Sequence, residues 1–64
     1  METISRFQKL IKLAIEEEKK AQELYKSMAG STEDPYVRAV LEGLRQQEVL
    51  HEDKLKSLLA SMEP

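Results

Sequence analysis

The sequence has 64 residues, no cysteine and a formal net charge of -2, with 34% charged and 41% hydrophobic residues. This length allows a single small domain, and the lack of cysteine excludes disulfide bonds and thiolate metal sites. The sequence has neither the basic stripe that nucleic-acid binding needs nor an apolar run of the roughly 18 residues that a membrane span needs, so we expect a soluble, cytoplasmic protein.

The first predicted element is a helix over about residues 3–29. Ala, Leu, Glu, Lys and Gln dominate this stretch, and all five favour helices. Gly30 comes next and predicts the end of the helix, because glycine enters the left-handed conformation of many helix ends without strain.

The second predicted element is a helix over about residues 35–62, after a turn at 30–34. Asp34 can accept hydrogen bonds from the free backbone N–H groups of a helix start, and Pro35 fits the first helical turn. We therefore predict an all-α fold in which residues 1–64 form one antiparallel two-helix hairpin.

Apolar residues form one stripe along each predicted helix, at alternating spacings of three and four residues that keep the stripe facing a neighbour. The stripe of the first helix, including its polar exception, is Ile4, Phe7, Ile11, Ala14, Glu18, Ala21, Tyr25 and Met28. The stripe of the second helix is Val37, Leu41, Leu44, Glu48, His51, Leu55, Leu58 and Met62. Leu10, Leu13, Leu24, Val40 and Leu59 widen the two stripes.

Only three positions of the stripes carry ionisable acid or imidazole groups: Glu18, Glu48 and His51. In an antiparallel hairpin the two glutamates fall within about 3 Å of the same height, with His51 one turn further along. Buried unpaired carboxylates are unfavourable, and no Lys or Arg occupies the stripes. We therefore favour a divalent metal site over the alternative, a structural polar layer, and the oxygen and nitrogen donors suit iron, manganese or zinc.

A hairpin of this kind leaves one long apolar face uncovered, and a two-fold homodimer would cover it and form a four-helix bundle. The dimer would unite two single glutamates and two Glu-x-x-His pairs around one cavity, which is the ligand set of di-iron carboxylate bundles. We expect a homodimer or a higher homo-oligomer with two iron ions per dimer.

The segments EKKAQELY and DPYVRAVLEGLRQQEVLH resemble the ferritin-like superfamily, specifically its rubrerythrin branch and the half-length members that include the encapsulated ferritins. The resemblance implies that Glu18, Glu48 and His51 are iron ligands, that Glu18 or its copy bridges the metals, and that the Tyr25 hydroxyl supports a ligand carboxylate. Rubrerythrins often carry a further glutamate one turn before the Glu-x-x-His glutamate, and Arg45 stands there. Any electron donor would be a separate protein, because the chain lacks the cysteines of a rubredoxin-like domain.

These features predict an oxidoreductase of the ferroxidase type, which oxidises Fe(II) with dioxygen or peroxide. The alternative is a non-catalytic, self-assembling helical hairpin with a structural metal or none. A third reading is that the chain is a fragment or a subunit of a larger assembly.

Overall fold

The computed structural model describes the backbone of residues 2–62 and the side chains of residues 6–62. Two helices, α1 (Glu2–Gly30) and α2 (Pro35–Ser61), pack side by side as an antiparallel hairpin. The all-α, two-helix prediction is thus confirmed. The molecule is a rod with extents of 50 × 15 × 11 Å and a radius of gyration of 15.0 Å, whereas a compact domain of this length has a radius of about 11 Å. No helix in the described residues is long and apolar enough to span a membrane.

The turn between the helices is fixed by polar contacts at both of its ends. The Asp34 carboxylate accepts hydrogen bonds from the backbone N–H groups of Tyr36 at 2.9 Å and Val37 at 3.4 Å, which is the predicted N-cap of α2. Arg38 reaches back and donates to the carbonyl of Thr32 at 2.6 Å and to that of Ala29 at 3.4 Å. The first turn of α2 therefore holds the end of α1.

The end of α1 differs from the prediction. Gly30 is still helical, and neither glycine nor any other described residue has a positive φ. The expected left-handed conformation at Gly30 was therefore wrong. The carbonyls at the end of α1 are instead engaged by Arg38 and by the Ser31 N–H, which donates to Met28 at 3.0 Å.

The contact between the helices is narrower than the predicted stripes. Its buried apolar residues are Ile11, Ile15, Ala29 and Leu41. Ile15 and Ala29 were not in the stripes, and Ile4 lies outside the residues whose side chains are described. The predicted stripe of each helix lies along the boundary between this contact and a second apolar surface. The stripe is wide enough to pack against two neighbouring helices, whereas each helix of a single hairpin has only one neighbour.

That second surface, here called the front face, consists of apolar side chains that are between 38% and 55% exposed. Their spacing places them about a quarter of a turn from the buried residues of each helix, on the same side of the hairpin. The front face comprises Phe7, Leu10, Met28, Val37, Val40 and Leu58.

Candidate metal centre

Glu18 of α1 and both Glu48 and His51 of α2 meet halfway along the hairpin. One donor atom from each lies within 4.8 Å of the other two. His51 Nδ1 is 3.5 Å from Glu18 Oε1 and 3.9 Å from Glu48 Oε2. The three residues predicted from the stripes are therefore brought together within a single chain.

Helical spacing and antiparallel packing explain this convergence. Residues three apart on a helix share a face, so Glu48 and His51 point to the same side of α2. Because α1 runs in the opposite direction, Glu18 lies at the level of Glu48 rather than at the far end of the rod. Helical spacing places Glu18, Glu48 and His51 between the helix contact and the front face. His51 is the most exposed of the three, with 53% of its side chain exposed.

The two carboxylates are largely withdrawn from water, with 22% and 20% of the side chains of Glu18 and Glu48 exposed. Glu18 Oε1 is buried and has no hydrogen-bond partner among the described residues. The Glu18 carboxyl, as a hydrogen-bonding neighbour and then as a like charge, raises the pKa of Glu48, and partial burial adds to the effect while His51 opposes it. The two carboxylates therefore disfavour each other's negative charge.

These residues fit a divalent metal ion. An orphaned buried carboxylate oxygen beside a second carboxylate is an arrangement that a cation would satisfy. Two carboxylates and an imidazole form an oxygen and nitrogen donor set that suits iron, manganese or zinc. In the described part of the chain the Lys–Glu and Arg–Glu ion pairs involve Glu16, Glu17, Glu42 and Glu52, and none reaches Glu18 or Glu48.

Tyr25 lies two turns from Glu18 on the same helix and is half-buried. Within residues 6–62 of one chain, its hydroxyl makes no hydrogen bond to Glu18 or Glu48. Its support of a ligand carboxylate stays a prediction.

A polar cluster that the sequence interpretation missed lies behind the metal centre. Glu52 was not among the residues that the sequence predicted for the site, and only 9% of it is exposed. Gln22 Nε2 donates to Glu52 Oε1 at 2.6 Å across the hairpin, and Lys56 Nζ lies 2.6 Å from Glu52 Oε2. Both hydrogen bonds lower the pKa of Glu52, and the bond from Lys56 has the larger effect. The spacing of Glu52 and Lys56 by four residues was the available signal.

Arg45 lies one turn before Glu48 and is half-buried. Its guanidinium pairs with Glu42 at 3.1 Å on its own helix. It lines an open polar groove of about 330 Å³ together with Glu42, Gln22, Glu23 and Lys26. The groove contains none of the three converging ligand residues.

Comparison with known proteins gave one match. The family model described as Rubrerythrin matches residues 1–64. No curated protein and no solved structure matches the chain.

Proposed function

This chain belongs to the rubrerythrin family, and from that premise we propose that it is a di-iron carboxylate protein with ferroxidase activity. The observation that carries the proposal is the meeting of Glu18, Glu48 and His51 within 4.8 Å of one another. An orphaned buried oxygen on Glu18 supports it, because a metal ion would engage that atom.

The complete centre would require two copies of the chain. In ferritin-like di-iron bundles, two helices each supply one glutamate and two others each supply a Glu-x-x-His pair. One hairpin provides one member of each kind. The position of His51 at the front face, with about half of its side chain exposed, suits a site that a second copy closes.

The surface of the hairpin supports the same assembly. The single chain exposes 5015 Å², whereas a folded monomer of 7.4 kDa exposes about 4200 Å². The excess, about 800 Å², is close to the area that each partner buries in a stable interface. We propose that the front faces of two copies pack together as a homodimer, with the two metal-binding halves facing each other.

The chemistry assigns distinct tasks to the residues. The two carboxylates of each chain neutralise a divalent ion, and neutral His51 adds a nitrogen donor. Iron in such a site supplies the redox chemistry, while the apolar front face keeps bulk water away. The reaction oxidises two Fe(II) substrate ions to Fe(III). The oxidant takes up two electrons and two protons, so that dioxygen becomes hydrogen peroxide or hydrogen peroxide becomes two water molecules.

Any return of Fe(III) to Fe(II) would use a separate electron-donor protein, since the sequence has no cysteine to hold a rubredoxin-type iron. Manganese or zinc would fit the same donors. The native metal is therefore part of the proposal, and metal analysis of the protein purified from its natural host tests it.

Anaerobic titration with Fe(II) tests binding, and subsequent exposure to air tests oxidation. We expect saturation at about one iron per chain, followed by a ferric absorption band that appears faster than in buffer. Glu48→Ala should remove both signals, and Glu23→Ala, at an exposed position on the other side of α1, should keep them. Wild-type iron stoichiometry in Glu48→Ala would refute the site.

The alternative, a non-catalytic self-assembling hairpin, is favoured by the same uncovered front face. It predicts that iron or zinc raises the melting temperature, because metal-binding free energy becomes folding free energy, but that Fe(II) is oxidised no faster than in buffer. Sedimentation velocity on the same sample reports whether the dimer forms.

A further inference from the structure

The cluster behind the metal centre, here called the clasp, consists of Gln22, Glu52 and Lys56. Outside the metal centre, it supplies the only hydrogen bond between side chains of α1 and α2 in residues 6–62, from Gln22 Nε2 to Glu52 Oε1. Lys56 occupies the other oxygen of Glu52. Each oxygen of this buried carboxylate therefore has its own partner.

The clasp stands in a fixed relation to the metal ligands. Gln22 follows Glu18 by four residues, and Glu52 follows Glu48 by four. Four residues advance a helix by about one turn and rotate it by about 40°. The rotation moves both clasp residues from the front to the back of the helix contact. Because the helices are antiparallel, the two axial steps run in opposite directions, so the midpoint of the clasp stays level with the midpoint of the two ligand glutamates.

A contribution to stability does not by itself explain why polar residues occupy the clasp. An apolar pair of similar volume is often at least as stabilising as a buried charged group with its partners. Apolar contacts are non-directional, so they would allow α1 to shift along α2 at small cost. A hydrogen bond of 2.6 Å between two side chains holds one alignment, and buried polar groups are best known for fixing the register of packed helices.

We propose that the clasp positions the metal centre. It fixes the spacing and axial alignment of α1 and α2, so that Glu18 and Glu48 can bind the same metal ions. This inference rests on the proposed metal-binding function. Gln22 and Glu52 act through the helices that carry the ligands, and they do not touch the ion themselves. Lys56 keeps Glu52 turned towards the clasp and away from the ligand carboxylates.

The first test compares two identical substitutions at different positions. Gln22→Leu removes the bond across the hairpin, and Gln46→Leu is the control at an exposed position of α2. With Co(II) as the probe, Gln22→Leu should bind about ten-fold more weakly and show a changed visible absorption spectrum, which reports coordination geometry. Gln46→Leu should match the wild type in both. Unchanged affinity and spectrum in Gln22→Leu would overturn the proposal.

The second test exchanges the two sides of the bond. Gln22→Glu places two carboxylates together and should open the clasp. Adding Glu52→Gln restores one donor and one acceptor, with the roles reversed, and should recover most of the lost Co(II) affinity, as a positive coupling in a double-mutant cycle. A folded double variant that binds as weakly as Gln22→Glu would contradict a positioning role.

A measurement without metal separates this inference from the proposed function. If the wild-type protein binds neither Co(II) nor Fe(II), the proposed function fails, and crystal structures of metal-free wild type and Gln22→Leu still decide on the clasp. We expect the donor atoms of Glu18, Glu48 and His51 to separate beyond 4.8 Å in the variant. The same separation in both proteins would remove the positioning role.

Discussion

His51 Nδ1 lies closer to Glu18 Oε1, on the other helix, than to Glu48 Oε2, on its own helix: 3.5 Å against 3.9 Å. The centre is thus a product of helix packing and not of the Glu-x-x-His spacing alone. Changes that loosen the hairpin should weaken metal binding even where they leave all three ligands in place.

Removing one negative charge from the centre should stabilise the metal-free protein. The raised pKa of Glu48 means that its carboxylate is unfavourable in the fold, and Glu48→Gln replaces it with a group that can donate to the orphaned oxygen of Glu18. We expect a higher melting temperature at neutral pH in the presence of a chelator, together with loss of iron binding. Both are measured on one preparation by thermal melting and by titration.

The stability gain of Glu48→Gln in the metal-free protein should depend on pH. A carboxyl group whose folded-state pKa is raised stabilises the fold below its unfolded pKa and loses that contribution as pH rises through the folded value. The advantage of Glu48→Gln should therefore shrink as pH falls through the raised folded-state value, and it should be lost below the unfolded value of 4.5. A variant that melts lower than the metal-free wild type at neutral pH would contradict the assigned repulsion.

Glu52 should behave in the opposite way. Its pKa is lowered by Lys56 and Gln22, so its contribution is present above the unfolded value of 4.5 and is lost as pH falls through the folded value. Glu52→Gln should lower the stability of the metal-free protein at neutral pH, with a difference that closes in acid. Urea denaturation across the pH range measures it, and a gap that widens in acid would be inconsistent with the clasp.

Local sequence rules predicted the two helices and the three polar residues that converge between them. Asp34 followed by Pro35 fixed the start of α2, because a side-chain acceptor and a residue without N–H suit that position. Periodicity likewise located Glu18, Glu48 and His51, since polar groups in an apolar stripe stand out against their neighbours.

The same rules could not distinguish the hairpin contact from the front face. Both surfaces are apolar and lie beside each other on each helix, so one stripe covered the border between them. Glu52 was missed because its burial depends on Gln22, a partner thirty positions away that no local pattern reveals. The Gly30 conformation was wrong because Arg38, from the following helix, engages the end of α1.

The proposed dimer can be tested with two leucines of α2. Leu58 belongs to the front face and is 43% exposed, while Leu50 is 58% exposed and, by helical spacing, lies about a quarter of a turn beyond that face. Leu58→Glu should place a charge in the dimer interface, where it is unfavourable, and shift the protein to the monomer. Leu50→Glu should leave the dimer unchanged. Sedimentation velocity measures both, and equal masses for the two variants would argue against the front face as the interface.

Arg38 should contribute measurably to the stability of the turn. Arg38→Ala removes the hydrogen bonds to the carbonyls of Thr32 and Ala29, and a typical bond of this kind contributes about 1 kcal/mol. A loss of about 1 kcal/mol lowers the melting temperature of a domain of this size by about 4–8 °C. Arg6→Ala, at an exposed position near the start of α1, is the control, and an equal effect of both substitutions would count against the tether.

Gly30 distinguishes a helical from a left-handed end of α1. Its φ is not positive, and a Cβ atom built there meets nothing within 4 Å. Gly30→Ala should therefore stabilise the protein by about 0.4–1 kcal/mol, because alanine restricts the unfolded chain more than glycine does. A left-handed glycine would give the opposite sign, since a side chain in that conformation is strained. The urea midpoint at fixed protein concentration decides between them, with Gly43→Ala, in open space within α2, as the reference for a stabilising substitution.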